Sequence, residues 1–185
     1  GGTDFHNIKK MLYARPDLMS HILKINTETV TKYLASQIEA GVDAVMIFDS
    51  WGGALAHSEY ENHSLNYMKV IISNLNLLGY ESIPKIIFTK GGGQWLEAQS
   101  KIGASAIGLD WQTDIAKARK IVGESITLQG NLDPSILLSS PKAIVASVKK
   151  VLDNYGYGEG HIFNLGHGIT QFTPPENVQC MLETI

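Results

Sequence analysis

Five short apolar runs punctuate the chain, and glycine or polar residues follow each at once: DAVMIFD (43–49), PKIIFTK (84–90), SAIGLDW (105–111), ITLQGN (126–131) and GHIFNLG (160–166). Between them lie stretches with the apolar spacing of helices, NYMKVIISNLNLLG (66–79), QWLEAQSKIG (94–103), DIAKARKIVG (114–123) and SPKAIVASVKKVLDNYG (140–156). Continuous apolar runs of strand length suit strands covered on both faces, and helical crossovers join strands that run parallel. Parallel βα units follow, and an antiparallel sandwich does not. A long helix precedes the first run. It begins at Arg15-Pro16, places Leu18, Ile22, Ile25, Leu34 and Ile38 on one face, and stops at Gly41. A final helix is expected from Pro175 onward. With no low-complexity linker, residues 1–185 read as one α/β domain of about five βα units.

In parallel folds the segments that leave the strands gather at one edge, the carboxyl edge, where such folds build their sites. Here those segments are DSWGG (49–53), TKGGG (89–93), DWQTD (110–114), QGNLDP (129–134) and NLGHG (164–168). Composition narrows what that edge binds. A net charge of −3 with no basic stripe argues against nucleic acid, and no basic amphipathic helix or membrane-length apolar run argues for a bilayer. The single cysteine, Cys180, can form neither an internal disulfide nor a multi-cysteine zinc site, which favours a reducing cytoplasm.

Several groups on the rim carry chemistry. TKGGGQWL lacks the spacing of a P-loop or a dinucleotide loop, so its glycines serve either a tight turn or, together with Lys90, the attraction of an anion such as a carboxylate. Ser50 has no adjacent base and no nucleophile-elbow motif around it. It reads as a hydrogen-bond donor to a ligand or as a turn and capping residue. Asp114 and Asp133 stand just before helical segments, where capping explains them better than paired-carboxylate catalysis or a hard-metal site shared with Asp110. Of six histidines only His167 is flanked by glycines, an arrangement that lets a ligand approach closely; no HExxH or Cys-His spacing supports zinc. Trp51, Trp95 and Trp111 either seal the top of the core or floor a flat apolar ligand.

Taken in order, FDSWGG, FTKGGGQWL, GLDW, LQGNLDP and FNLGHGI resemble the uroporphyrinogen decarboxylases of haem biosynthesis, and the likeness runs from MLYARP to PPENV. The resemblance implies a (β/α)8 TIM-type barrel, here an incomplete one. It implies a cytoplasmic homodimer without metal or organic cofactor that removes carbon dioxide from the four acetate side chains of uroporphyrinogen III to give coproporphyrinogen III. It places Ser50 where the family hydrogen-bonds its substrate, and His167 where a catalytic histidine faces the substrate carboxylates. The family's earlier segment, with its arginines, a cleft aspartate and a tyrosine, has no counterpart in these 185 residues. This chain is therefore expected to be the carboxyl-terminal portion of a barrel, inactive by itself, with open sheet edges and an open inner face. Two other functions stay in view: a tetrapyrrole-binding module without chemistry, and a zinc-dependent corrinoid methyltransferase of the same superfamily.

Overall fold

The computed structural model describes residues 4–185. Five strands, β1 (Val45–Asp49), β2 (Lys85–Thr89), β3 (Ala106–Gly108), β4 (Thr127–Gln129) and β5 (His161–Ile162), form one sheet in sequential order, every neighbouring pair parallel. The strand-helix alternation read from the sequence is the one observed, and the sheet is an arc of a barrel of this type. All five runs become strands, though most are shorter than the apolar run that signals them.

The long first helix, α2 (Pro16–Glu39), starts at Pro16 as expected and ends just before Gly41, whose φ of +94° is a backbone setting glycine adopts readily. Its buried face differs from the expected one. Leu34 and Ile38 are buried, but Leu18, Ile22 and Ile25 are exposed, and Met19, Thr27 and Thr31 take the inward stripe instead. The threonines tolerate burial because each hydroxyl bonds the carbonyl four residues back, Thr27 to Leu23 and Thr31 to Thr27, both at 2.8 Å. Two elements have no counterpart in the sequence reading: α1 (His6–Ala14), and the turn of helix α3 (His57–Tyr60), which runs through a wide π-type turn at 61–65 into α4 (Asn66–Leu77). The remaining helices are α5 (Leu96–Gln99), α6 (Ile115–Val122), α7 (Pro141–Tyr155) and α8 (Pro175–Leu182).

The core lies between the outer face of the sheet and the helices. Ile87, Ile107 and Leu128 point outward from successive strands and are buried among Ile72, Leu96 and Ala118 of the helices. A second cluster joins Leu34 and Ile38 of α2 to Val45 and Leu75, and a third packs Ile144 and Val148 of α7 against Met181 of α8. Each fully buried Leu or Ile contributes on the order of 1.5–3 kcal/mol relative to an exposed one. The inner face is open. The expectation that the first strand is covered on both faces fails there: Phe48 is 68% exposed, because among the described residues nothing faces the concave side of the arc.

Candidate functional site

Residues 46 and 48 of β1, 86 and 88 of β2, and 129 of β4 share the concave side by strand alternation and register, since Phe48 pairs with Phe88 and Gly108 with Gln129. The cavity of 410 Å³ on this side has Met46, Phe48 and Phe88 for an apolar floor. Ser50, Gln129, Asn164 and His167 supply its polar groups. Ser50 and His167, separated by most of the chain, therefore line one cavity at the carboxyl ends of the strands, as the alternation requires.

His167 is exposed and makes no hydrogen bond among the described residues. Its ring is held edge-on by two aromatics, 6.0 Å from Trp111 and 6.2 Å from Phe88 between centroids. The two flanking glycines do different work. A Cβ on Gly166 would fall 2.3 Å from the Trp111 amide nitrogen, so only glycine allows the β5 loop to press against the β3 loop; Gly168 has open space around it. The Gly166 amide donates to the Leu132 carbonyl at 2.8 Å and completes the seat. Ser50 is half-buried, and its hydroxyl caps no helix and bonds no other described residue. Ser50 lies in the turn that leaves β1, as one of its readings has it, but its hydroxyl makes no capping bond.

Asp49, one residue earlier, points the other way. Its carboxylate accepts from Ser64 Oγ at 2.5 Å and Thr89 Oγ1 at 3.3 Å, and burial pushes its pKa up despite those bonds and one from the Gly52 amide. Behind it Thr89 meets Tyr60, whose hydroxyl also accepts from Gln99 Nε2 at 2.8 Å, and burial pushes the Tyr60 pKa up to about 12. This buried hydrogen-bonded network fixes the root of the DSWGG loop. Gly52 has to be glycine here, since a Cβ would overlap the Asp49 carboxylate at 1.8 Å.

The glycine loop after β2 departs from an anion-binding cradle. The Gly91 amide is already bound by the Asp110 carboxylate, which also accepts from Thr113 Oγ1 at 2.9 Å. Asp110, 1% exposed, is thus a clamp between the second and third loops and is closed to ligands. Gly92 and Gly93 are tight because Gln99 and Thr113 lie within 3 Å of any Cβ built there. Asp114 and Asp133 cap α6 and the turn at 134–138, as expected. The tryptophans divide: Trp95 is 1% exposed and stacks on Tyr60 at 4.1 Å, whereas Trp51 and Trp111 stand on the rim. Among the described residues no three of His, Cys, Asp or Glu gather as metal ligands would, and Cys180 sits on α8 with its sulfur 3.9 Å from the Pro141 carbonyl.

Phe48, Phe88, Gln129 and Asn164 were not singled out from the sequence. The signal was present for the first two, since Met46 and Phe48 alternate with Val45 and Ile47, but an unbroken apolar run hides which alternate faces inward.

Comparison with known proteins gives the family and the fold. The family model described as Uroporphyrinogen decarboxylase (URO-D) matches residues 1–185. Proteins named uroporphyrinogen decarboxylase are similar over the whole of this chain: that of Methylobacillus flagellatus is 56% identical, that of Nitrosospira multiformis 55% and that of Nitrosomonas europaea 55%. The match covers 52%, 51% and 52% of those relatives, so the chain spans about half their length. A methyltransferase from Methanosarcina mazei has the same fold, with a TM-score of 0.81 at 21% identity over 95% of this chain and 51% of its own.

Proposed function

The chain belongs to the uroporphyrinogen decarboxylase family, and from that premise we propose that it supplies the substrate-facing rim of an enzyme that decarboxylates the four acetate side chains of uroporphyrinogen III, giving coproporphyrinogen III. The observation that carries the reading is the single cavity lined by Ser50 and His167 over an aromatic floor. A tetrapyrrole offers flat apolar rings with carboxylates at the periphery. The cavity offers the complement, Phe48 and Phe88 beneath and neutral or cationic donors around the edge.

In each round the bond from the acetate methylene to its carboxyl carbon breaks, carbon dioxide leaves, and the electron pair passes into a pyrrole ring that has first been protonated at carbon. The methylene then takes a proton and becomes a methyl group, and the ring carbon gives up the proton it first took, which restores the pyrrole. The residues of this chain bind and orient. Ser50 donates its hydroxyl hydrogen to the substrate, and His167, the catalytic residue of this rim, presents a ring N–H to a carboxylate while Trp111 and Phe88 hold the imidazole in place. No organic cofactor is needed, because the ring is the electron sink. The same reading carries a cytoplasmic, homodimeric full-length protein. No helix among the described residues is long and apolar enough to cross a membrane.

The test is a turnover assay. Incubated with uroporphyrinogen III, the full-length protein should release products with seven, six, five and finally four carboxyl groups, while residues 1–185 alone release none. A full-length protein that binds porphyrins without turnover would replace this reading with that of a binding module.

A further inference from the structure

Lys90 follows β2 directly and stands between two rim tryptophans. Its ammonium lies 5.1 Å from the Trp51 ring and 5.4 Å from the Trp111 ring, so the loops after β1, β2 and β3 meet around one cation. Two other lysines of the fold are spent differently. Lys85 gives its ammonium to the backbone carbonyls of Tyr80 and Glu81, and Lys101 is paired with Glu97 at 2.7 Å. Lys90, among the described residues, has no carboxylate within 4.0 Å and donates no hydrogen bond. The nearby Asp110 carboxylate is taken up by the Gly91 amide and by Thr113.

Two indoles orient and partly desolvate an ammonium without neutralising it, because a ring contributes a quadrupole and no net charge. What remains is a fixed, uncompensated positive charge on the rim. Its second flanking ring, Trp111, is one of the two that hold His167 edge-on, so the cation and the imidazole are one indole apart.

We infer that Lys90 is a substrate-binding residue, a fixed cationic post that takes a peripheral carboxylate of the tetrapyrrole and so orients the macrocycle relative to His167. This rests on the proposed function and adds to it a specificity element: the post favours ligands in proportion to the carboxylates they present. Side-chain entropy argues for the same role. A free lysine loses rotamer freedom when it binds an anion, whereas one already held between two rings has lost it beforehand.

The experiment measures equilibrium binding of two oxidised porphyrins, the octacarboxylate uroporphyrin and the tetracarboxylate coproporphyrin, to the full-length protein by quenching of tryptophan fluorescence across a salt series. Lys90→Met keeps the length and apolar stem and removes the charge; Lys90→Arg keeps the charge and still stacks on indole. Expected for Lys90→Met is a loss of about tenfold or more in affinity for uroporphyrin, the scale of one hydrogen bond to a charged group, with a smaller loss for coproporphyrin and a shallower salt dependence. Lys90→Arg should retain most of the affinity and the parent's salt slope. A folded Lys90→Met protein that binds uroporphyrin as the parent does, with the same salt slope, overturns the assignment and leaves the proposed function standing. A parent that binds neither porphyrin overturns the proposed function and this inference with it.

Discussion

His167 and Ser50 sit where a side chain contributes little to the fold: one exposed, the other half-buried, neither bonded to another described residue. His167→Ala in the full-length protein should therefore shift unfolding by no more than about 0.5 kcal/mol, the usual range for surface substitutions, while weakening substrate binding and turnover far more. Ser50→Ala should cost less in binding, about 0.5–1.5 kcal/mol for one neutral hydrogen bond. Thermal unfolding and steady-state kinetics on the same preparations separate the two effects, and an unfolded His167→Ala protein would contradict the assignment. Asp49 makes the opposite case, a carboxylate engaged by Ser64 and Thr89 within the fold. Burial raises its pKa above the ordinary Asp value of about 3.9, so the native state holds this proton to higher pH than the unfolded chain does. Its contribution to stability is complete below the ordinary value and is lost as pH climbs through the raised one. Asp49→Asn removes that titration. Urea unfolding at a series of pH values should show the parent losing stability relative to the variant across that window, with no further divergence above it. Parallel curves would mean that Ser64, Thr89 and the Gly52 amide compensate the buried charge in full.

At the scale of elements, the loops are set by caps and clamps that hold the short strands in register. Asp114 accepts from the amides of Ala116 at 3.0 Å and Lys117 at 3.1 Å and starts α6, the helix that follows the Asp110 clamp. Asp114→Ala should lower stability by about 1 kcal/mol, as loss of a side-chain cap commonly does, without altering substrate affinity. A matching loss of affinity would instead place Asp114 in the site. That cap was legible in the sequence, as were the five strands, most of the helices and the common rim, because apolar periodicity and the residues ahead of a helix are local signals. The inward stripe of α2 was not, since Thr27 and Thr31 look polar until their hydroxyls are seen to bond within the helix. Nor was the fate of the glycine loop. Whether the Gly91 amide faces a ligand or the Asp110 carboxylate depends on a contact between residues nineteen apart, which no local pattern records. Of the candidate site, the sequence pointed to the two polar groups and not to their aromatic floor, whose direction depends on which face of β1 and β2 the helices cover.

For the molecule as a whole, the governing fact is a parallel sheet with one covered face and one open face. Among the described residues β1 pairs only with β2, and β5 only with β4, so both ends of the sheet carry unpaired backbone groups. The concave side adds Phe48 at 68% exposure and Ile162 at 43%, with Trp51 at 61% on the rim above. Parallel strands are ordinarily buried on both faces, and exposed edges beside exposed aromatics form a template for association. Residues 1–185 in isolation should accordingly self-associate as concentration rises and bind a hydrophobic dye, and both tendencies should fall in Phe48→Lys, which puts a charge on the open face beside the β1 edge without touching the outer core. Sedimentation velocity over a hundredfold range of concentration decides it. A monomer throughout, with no dye bound, would mean that the aromatic floor is sheltered in solution, and the cavity that joins Ser50 to His167 would then have to be redrawn as a closed one.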